Sequence, residues 1–504
     1  MTNPAPPSIV IVGGGIAGLA AAYFLRESGA SVTVLEGSPR LGGKLAVSQV
    51  AGIAVDEGAE ALLTLRPEGT GLIEAIGLGE RLTQPGTTIA RIWSRGAMRP
   101  LPRRQFLGVP ADLGELAHGG LISAGGIARA SRDLELPATP RDADVPVARH
   151  VAARFGPEVV DRLVDPLLAG VYAGRSEQLS FEATLPALAR EAHKHASLAA
   201  AAAALLPAPG RQPPQPGSPP GPPGGDEPPR PRGVFTTLPG GLGSLPAALA
   251  AASGASIQPA VMARELVPAP GGWRLTVGSA HAPRQLTADA VVVAVPARPA
   301  SRLLAGVPGA AAAVSALAEI SYASMAIVTL AYPAGAFPAP LAGSGYLVPA
   351  VDGHPVKAVT YSSVKWPHLR HDAGGVTVVR CSLGRVGEEA LLQADDTELT
   401  ALAAADLAAA TGVRGAPVDS RVTRWGGALP QYTVGHLDRV AMIKAAVAGQ
   451  PGLAVCGAAY DGIGIPACIA TARAAAGQIA AYLANRPITA ARAVGAGDVT
   501  GGPA

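Results

Sequence analysis

The sequence predicts a two-domain protein of the α/β class, α+β in how its parts segregate. One part is a helix-covered parallel sheet assembled from separated segments. The other is a mixed-sheet domain that carries a helical insertion. Three observations predict this. The chain opens on an apolar run, a glycine-rich turn and an alanine-rich stretch, and a second apolar run ends in an acid (VTVLE, residues 32–36). Residues 451–484 repeat the order apolar run, glycine-rich turn, long helical pattern. Between these ends lie a helically periodic stretch, 103 to about 200, and strand-like alternation over 320–430.

The first element is IVIVGGGIAG, residues 9–18. Residues 9–12 are continuously apolar, as a parallel strand buried on both faces requires. Gly13 permits the tight turn, Gly15 lets backbone approach a pyrophosphate, and Gly18 lets the following helix, read as residues 19–28, pack close to the sheet. Phosphate then meets a helix N-terminus, whose unpaired N–H groups and dipole favour negative charge. Glu36, at the end of the second strand, is placed to accept hydrogen bonds from ribose hydroxyls. Glycine-rich turns are common alone. Strand, turn, helix, Gly29, strand and acid in register point to a Rossmann-like site for the ADP half of a dinucleotide.

Length and composition set the outer limits. At 504 residues the chain exceeds a single ordinary core. It is 48% hydrophobic and 15% charged, which places it among globular proteins. No run reaches the roughly 18 apolar residues of a membrane span, and the N-terminus, MTNPAPPS, lacks the basic start of a signal peptide. A net charge of +3, with basic residues scattered, gives no case for nucleic acid. Cys381, Cys456 and Cys468 lack the spacing of a disulfide framework or a zinc site, so a reducing, cytoplasmic setting is expected, with attachment at a membrane surface left open.

The organisation is then read in order. Residues 1–90 form the first part of the nucleotide domain, with a hairpin and loop at 48–63. Residues 91–233 form a mostly helical insertion that ends in a proline-rich loop, 207–233, which excludes helix and central strand. A surface loop and an SH3-type ligand are the two readings of that loop. Residues 234–300 return to the nucleotide domain through a strand, a hairpin and a buried strand (ADAVVVAVPA, 288–297). Residues 301–424 form the substrate-side sheet, 425–485 the third nucleotide-domain piece, and 486–504 a flexible tail.

The stretch that separates flavin from nicotinamide is LEGSPRLGGKL, residues 35–45. Directly after the acid come Arg40, the Gly42–Gly43 pair and Lys44, a close-approach backbone turn with two cations for the pyrophosphate and ribityl region. A basic surface loop is the plainer alternative. Together with the opening turn and the C-terminal strand–turn–helix, the pattern points to FAD.

This assembly resembles the flavin-dependent amine oxidase, phytoene desaturase and protoporphyrinogen oxidase superfamily. Within it, RLGGKL, DPLLAGVYAG (165–174), SGYLVP (344–349), TYSSVKWPH (360–368), RWGGALPQYTVGH (424–436) and CGAAYDGIGIP (456–466) are similar to the bacterial coproporphyrinogen III and protoporphyrinogen oxidase family. The resemblance spans nearly the whole chain apart from the proline-rich loop and the tail. It implies that Gly13, Gly14, Gly15, Ile16, Ala17, Gly18 and Glu36 hold the ADP part of FAD. Arg40, Gly43, Lys44, Gly58, Ala59 and Glu60 fall on the flavin side. Val261 clasps adenine, Trp425 lies near the cofactor, and Ile463, Gly464 and Ile465 meet the ribityl chain and flavin edge.

For a tetrapyrrole substrate the resemblance implies a sandwich between Leu167 and Leu347, an anchor at the Gly345 backbone, and a wall shaped by Gly170 and Tyr346. Arg103 and Arg104 are candidates for propionates, with a surface position as the plainer reading. Ala458 and Ala467 stand where the family commonly carries Asn and Asp. His436 and Tyr432 are polar residues of a shared motif, but no general base and no metal site is assigned; catalysis rests on positioning against the flavin. The implied reaction takes coproporphyrinogen III to coproporphyrin III in three two-electron steps, with O2 as acceptor and H2O2 released, in haem biosynthesis. A ferrochelatase is the candidate downstream partner. Protoporphyrinogen IX is the alternative substrate. An amine oxidase or carotenoid desaturase, with Lys365 as a stand-in for a flavin-side lysine, and a non-enzymatic porphyrin carrier are more distant readings.

Overall fold

The computed structural model describes residues 6–139, 143–207, 233–372 and 375–486. Residues 208–232 of the proline-rich stretch and 487–504 of the tail, each given a reading from sequence, lie outside the described residues.

Five strands form an all-parallel sheet in the order Ser256–Gln258, Ser31–Leu35, Ser8–Val12, Ala290–Val293, Leu453–Val455. Three distant pieces of chain therefore meet in one sheet, as the opening and closing motifs predict. Its central strand is apolar at successive positions because both faces are covered. Ile9 and Ile11 pack into the core shared by helices Ile16–Leu25 and Ile465–Ala484. Val10 and Val12 pack on the other side, into the core of a three-stranded antiparallel meander and helices Ala297–Leu304 and Ala311–Ala318. The first helix begins at Ile16, three residues before the sequence reading, because Gly15 already serves as its extended N-cap.

The second sheet has seven strands in the order Asp419–Pro430, Tyr322–Pro333, Val376–Leu383, Val356–Thr360, Gly345–Leu347, Ala90–Ser94, Ala97–Pro100. Its pairs are antiparallel except that Gly345–Leu347 runs parallel to Ala90–Ser94. The hairpin Ala90–Pro100 received no strand reading from sequence. Its turn signal is the Arg95–Gly96 pair, both at positive φ, as a two-residue hairpin turn requires.

The helical part runs from Leu113–His118 to Leu198–Ala204. A π-turn, Val160–Val164, leads into the helix Asp165–Tyr172. Asp133, fully buried, accepts from Arg154 Nε, Ser197 Oγ and the Leu198 and Ala199 N–H groups, tying three helices together. No described helix is long and apolar enough to cross a membrane.

Gly18 shows how closely the first helix seats on the turn. A Cβ there would stand 1.9 Å from the Gly13 carbonyl oxygen. Gly18→Ala is therefore expected to destabilise the protein by roughly 3 kcal/mol or more, as overpacking against immobile backbone does. A urea titration checks it; a wild-type midpoint at unchanged slope would refute this packing.

Candidate active site

Two glycine turns meet at the carboxyl end of the parallel sheet. Gly42 N–H donates to the Gly14 carbonyl at 2.8 Å, and Gly15 and Gly42 form a parallel bridge. A Cβ on Gly43 would stand 3.5 Å from the Gly15 Cα, while a Cβ on Gly15 would meet no protein atom within 4 Å. The turn therefore packs tightly behind and is open in front. What it opens onto is a cavity of about 1170 Å³.

The cavity is continuous from one sheet to the other. At one end it is lined by Gly13, Gly15, Ile16, Ala17, Glu36 and Ser38, with Val261 and Met262 beside them. Glu36 is held in place: its carboxylate accepts the Gly14 N–H at 2.8 Å and the Ser38 N–H at 2.7 Å, and its own carbonyl accepts the Val261 N–H. Lys44 lines the middle, and burial pulls its ammonium below the ordinary lysine range, an effect Cys468 opposes. No carboxylate pairs with Lys44 among the described residues. At the far end lie Gly170, Met325, Ile327, Ala358, Thr360 and Ser382, a wall of mostly small or apolar groups.

Between the two ends runs the loop 57–60, and it is fixed by contacts from the second sheet. A Cβ on Gly58 would stand 2.0 Å from the Lys44 carbonyl oxygen, so only glycine fits against the neighbouring loop. Trp425 Nε1 donates to the Glu57 carbonyl at 2.9 Å, and Arg421 pairs with the Glu57 carboxylate. Arg380 donates to the Gly58 carbonyl at 2.7 Å and to Glu60 at 2.6 Å, and Lys365 meets the other Glu60 oxygen at 2.5 Å. Burial works against the Glu60 charge, but Lys365 and Arg380 outweigh it and hold the carboxyl at about 2. Asp56, one strand end away, goes the other way. Burial lifts it to about 6, against Arg380 and the Gly243 and Leu242 N–H groups, which it accepts.

The C-terminal piece closes the cavity. Gly457, Ala458, Ile463 and Ile465 line it, and Gly464 caps the helix Ile465–Ala484 behind them. Leu167 and Leu347 pack in the same cluster as Ile463, beside Gly170, whose added Cβ would reach Leu347 Cδ2 at 3.5 Å. Gly170 lines the cavity, whereas Leu167 and Leu347 pack beside it and are not part of the lining.

Several assignments need correction. Arg40 does not line the cavity: its guanidinium donates to the carbonyls of Leu41, Gly43 and Leu45, folding its own loop. Tyr346 points to the opposite face from Leu347, as strand alternation requires, and packs edge-on against Trp93 and Tyr361. At Gly345 a glycine is demanded by strand pairing, since a Cβ would stand 2.0 Å from the Val359 carbonyl oxygen, a constraint separate from the backbone anchor expected there. Gly14 and Gly18 shape the turn from behind rather than line the cavity. Arg103 and Arg104 bind Glu115 through backbone N–H groups and lie away from the cavity. Lys365 is spent on Glu60. Arg380 was missed; its signal is one cation inside an apolar strand, VTVVRCSL.

Among the described residues no histidine lines this cavity and no cluster could hold a metal. The donor set suits a long, anionic, partly aromatic ligand such as FAD. It offers a bare glycine turn, an acid at one end, a half-buried lysine midway and a mostly apolar end.

Comparison with known proteins places the chain. Residues 16–480 match the model of the flavin containing amine oxidoreductases. A Mycobacterium tuberculosis protein named coproporphyrinogen III oxidase is 39% identical over 474 residues, covering 93% of this chain and 96% of that one. A Bacillus subtilis protein of the same name is 29% identical over 94% of this chain and 98% of its own length. A crystal structure from Exiguobacterium sp. 255-15, provisionally designated a protoporphyrinogen oxidase, superposes with a TM-score of 0.80 at 30% identity, covering 95% of this chain and all of that one.

Two outcomes test this geometry. Gly15→Val should fold with the thermal midpoint of wild-type apoprotein, because no protein atom stands near the new Cβ, yet purify colourless. Stoichiometric FAD in that variant would refute the placement of the pyrophosphate. Glu60→Gln should cost about 3 kcal/mol at neutral pH, since it leaves the buried Arg380 and the half-buried Lys365 without their anion. Because the folded carboxyl lies below its ordinary 4.5, that stabilisation is present above pH 4.5 and is lost as pH falls toward 2. Denaturant titrations of both proteins at neutral pH and near pH 3 should show the gap shrink; a gap independent of pH would contradict it.

Proposed function

The chain belongs to the flavin-containing amine oxidoreductase family and is an FAD-dependent oxidoreductase; from that premise we propose that it oxidises coproporphyrinogen III to coproporphyrin III in haem biosynthesis. One observation carries the reading. The cavity continues past the flavin-side loop into an apolar chamber between the helix Asp165–Tyr172 and the second sheet, in a chain 39% identical along most of its length to a coproporphyrinogen III oxidase.

The residues that line the cavity or pack beside it have these places in the proposal. Gly13, Gly15, Ile16, Ala17 and Glu36 hold the ADP portion, with Val261 beside adenine. Lys44, Gly58, Ala59, Glu60 and Trp425 border the isoalloxazine, and Ile463 and Ile465 its other edge. The bound flavin supplies a two-electron acceptor. Leu167, Leu347 and Gly170 shape the flat chamber for the macrocycle. Glu60 is neutralised by Lys365 and Arg380, so the wall beside the reacting face carries no unbalanced negative charge. The substrate loses a hydride from a saturated bridge carbon and a proton from a pyrrole nitrogen. Three such rounds aromatise the ring, with O2 as terminal acceptor and H2O2 as product. Positioning, rather than a dedicated side-chain base, then sets the rate. A ferrochelatase is the proposed consumer of the product. Protoporphyrinogen IX is the second reading, favoured by the designation of the Exiguobacterium structure.

Anaerobic mixing of the yellow protein with each porphyrinogen tests both. Coproporphyrinogen III should bleach the flavin band, and faster than protoporphyrinogen IX. Bleaching by neither would overturn the proposal, and the reverse order would move it to the second substrate. In air, three peroxides per porphyrin are expected.

A further inference from the structure

The turn 457–464 forms one wall of the cavity, yet it is short of support from its own sequence. Gly457 and Gly462 sit at φ of +125° and +136°. One internal contact is local: Thr471 Oγ1 accepts the Gly457 N–H. Further holds come from outside the turn: Lys444 Nζ donates to the exposed Asp461 carboxylate at 2.7 Å, and the base of the turn is held by Tyr432, a residue that lies beyond the cavity lining. The Tyr432 hydroxyl donates to the Ala458 carbonyl at 2.7 Å and accepts the Gly462 N–H at 2.8 Å, so one oxygen spans the base of the turn.

That phenol is itself packed against two further rings. His436 stacks on it at 3.8 Å between ring centroids and 15° between planes, and His436 Nε2 meets the Tyr460 carbonyl at 3.1 Å, inside the same turn. The tilted Tyr172 ring stands 5.8 Å away, and Gln431 Nε2 donates to the Tyr172 carbonyl at 2.8 Å. Tyr172 closes the helix Asp165–Tyr172, whose Gly170 lines the far end of the cavity. The Tyr432 backbone carbonyl accepts the Ser180 N–H, adding a second tie to the helical part. Tyr432 and His436 are both buried.

We propose that Tyr432 is a positioning residue: with His436 stacked on it, its hydroxyl fixes the turn 457–464 against FAD and in register with the substrate-side helix. The inference rests on FAD filling the cavity and is independent of which porphyrinogen is oxidised. His436 acts as a neutral plate. Burial pulls its imidazole down to about 4, with Arg439 adding to the drop and the Tyr460 carbonyl, Asp461 and Asp144 opposing it, so the stack carries no charge at working pH. A phenylalanine at 432 keeps the ring and the stack but removes the partner of the Ala458 carbonyl and the Gly462 N–H, both partly buried.

The test uses the full-length protein, stripped of flavin and retitrated with FAD. Tyr432→Phe should raise the FAD dissociation constant roughly tenfold, near the cost of one lost hydrogen bond with buried partners, and alter the visible circular dichroism of the bound flavin. With porphyrinogen, kcat should fall while KM stays within about twofold, because the substrate's own contacts are intact. His436→Phe, which keeps a stacked ring and loses only the Tyr460 contact, should move both flavin readouts in the same direction by about threefold. Above pH 5 the wild type and Tyr432→Phe should have parallel pH profiles. Wild-type FAD affinity and dichroism in Tyr432→Phe would overturn the proposal, even if its apoprotein melts lower. Should that variant fail to fold, unchanged FAD binding in His436→Phe would do the same. Absence of porphyrinogen turnover in the wild type would sink the substrate reading and leave the flavin arms to decide this one.

Discussion

The Glu60 carboxylate, held between Lys365 and Arg380, is the joint on which the rest of the site depends. Glu60 lies in the first piece of nucleotide-binding chain, in the loop after the strand Ile53–Asp56, while both cations come from the second sheet and its adjoining helix. An ion pair of this kind is costly to bury and contributes little net stability against an apolar substitute. Its value is directional. Two cations on two oxygens, with Arg380 also gripping the Gly58 carbonyl, leave the loop 57–60 one place to sit, and that loop separates the nucleotide end of the cavity from its apolar end.

Around that joint, backbone does most of the shaping. Gly13, Gly18, Gly42 and Gly58 each lie so close to a neighbouring chain that a Cβ would overlap it, whereas Gly15 faces open space. The pattern divides glycines that let loops stack from a glycine that leaves room for a ligand. Only the second kind concerns binding directly. Steric crowding behind and vacancy in front is how a glycine turn presents N–H groups to phosphate without side-chain interference.

Much of this was legible in the chain. Spacing of Gly13, Gly15 and Gly18 with Glu36 is a local signal, because strand, turn and helix each follow from neighbours within thirty residues. The return of residues 288–297 to the sheet was readable from a continuous apolar run, and residues 451–484 from their similar order of elements. What sequence could not show were partnerships across hundreds of residues. Arg380 and Glu60 are 320 positions apart, and nothing local marks which acid a lone strand cation will meet. Arg40 departs from expectation for a related reason: a cation beside glycines serves loop carbonyls as readily as a ligand. Tyr346 failed on phase. In a three-residue strand, periodicity is too brief to say which face is inward, and Gly345 and Leu347 were placed with it although alternation separates them.

The charges near the C-terminal wall follow from the same economy. The helix Ile465–Ala484 runs for 20 residues from the cavity, so its N-terminus adds a fixed positive potential there. Lys44 adds a second, with no carboxylate paired to it among the described residues. A protonated histidine behind the turn would add a third and make the field depend on pH. Burial instead keeps His436 neutral, and the Tyr432 hydroxyl, pushed up by burial, keeps its proton as well. The wall is therefore held by neutral dipoles, while its positive character comes from a helix terminus, which does not titrate, and from Lys44. The helix terminus gives a potential that no proton transfer shifts, and the neutral imidazole and phenol behind the turn leave that potential undisturbed.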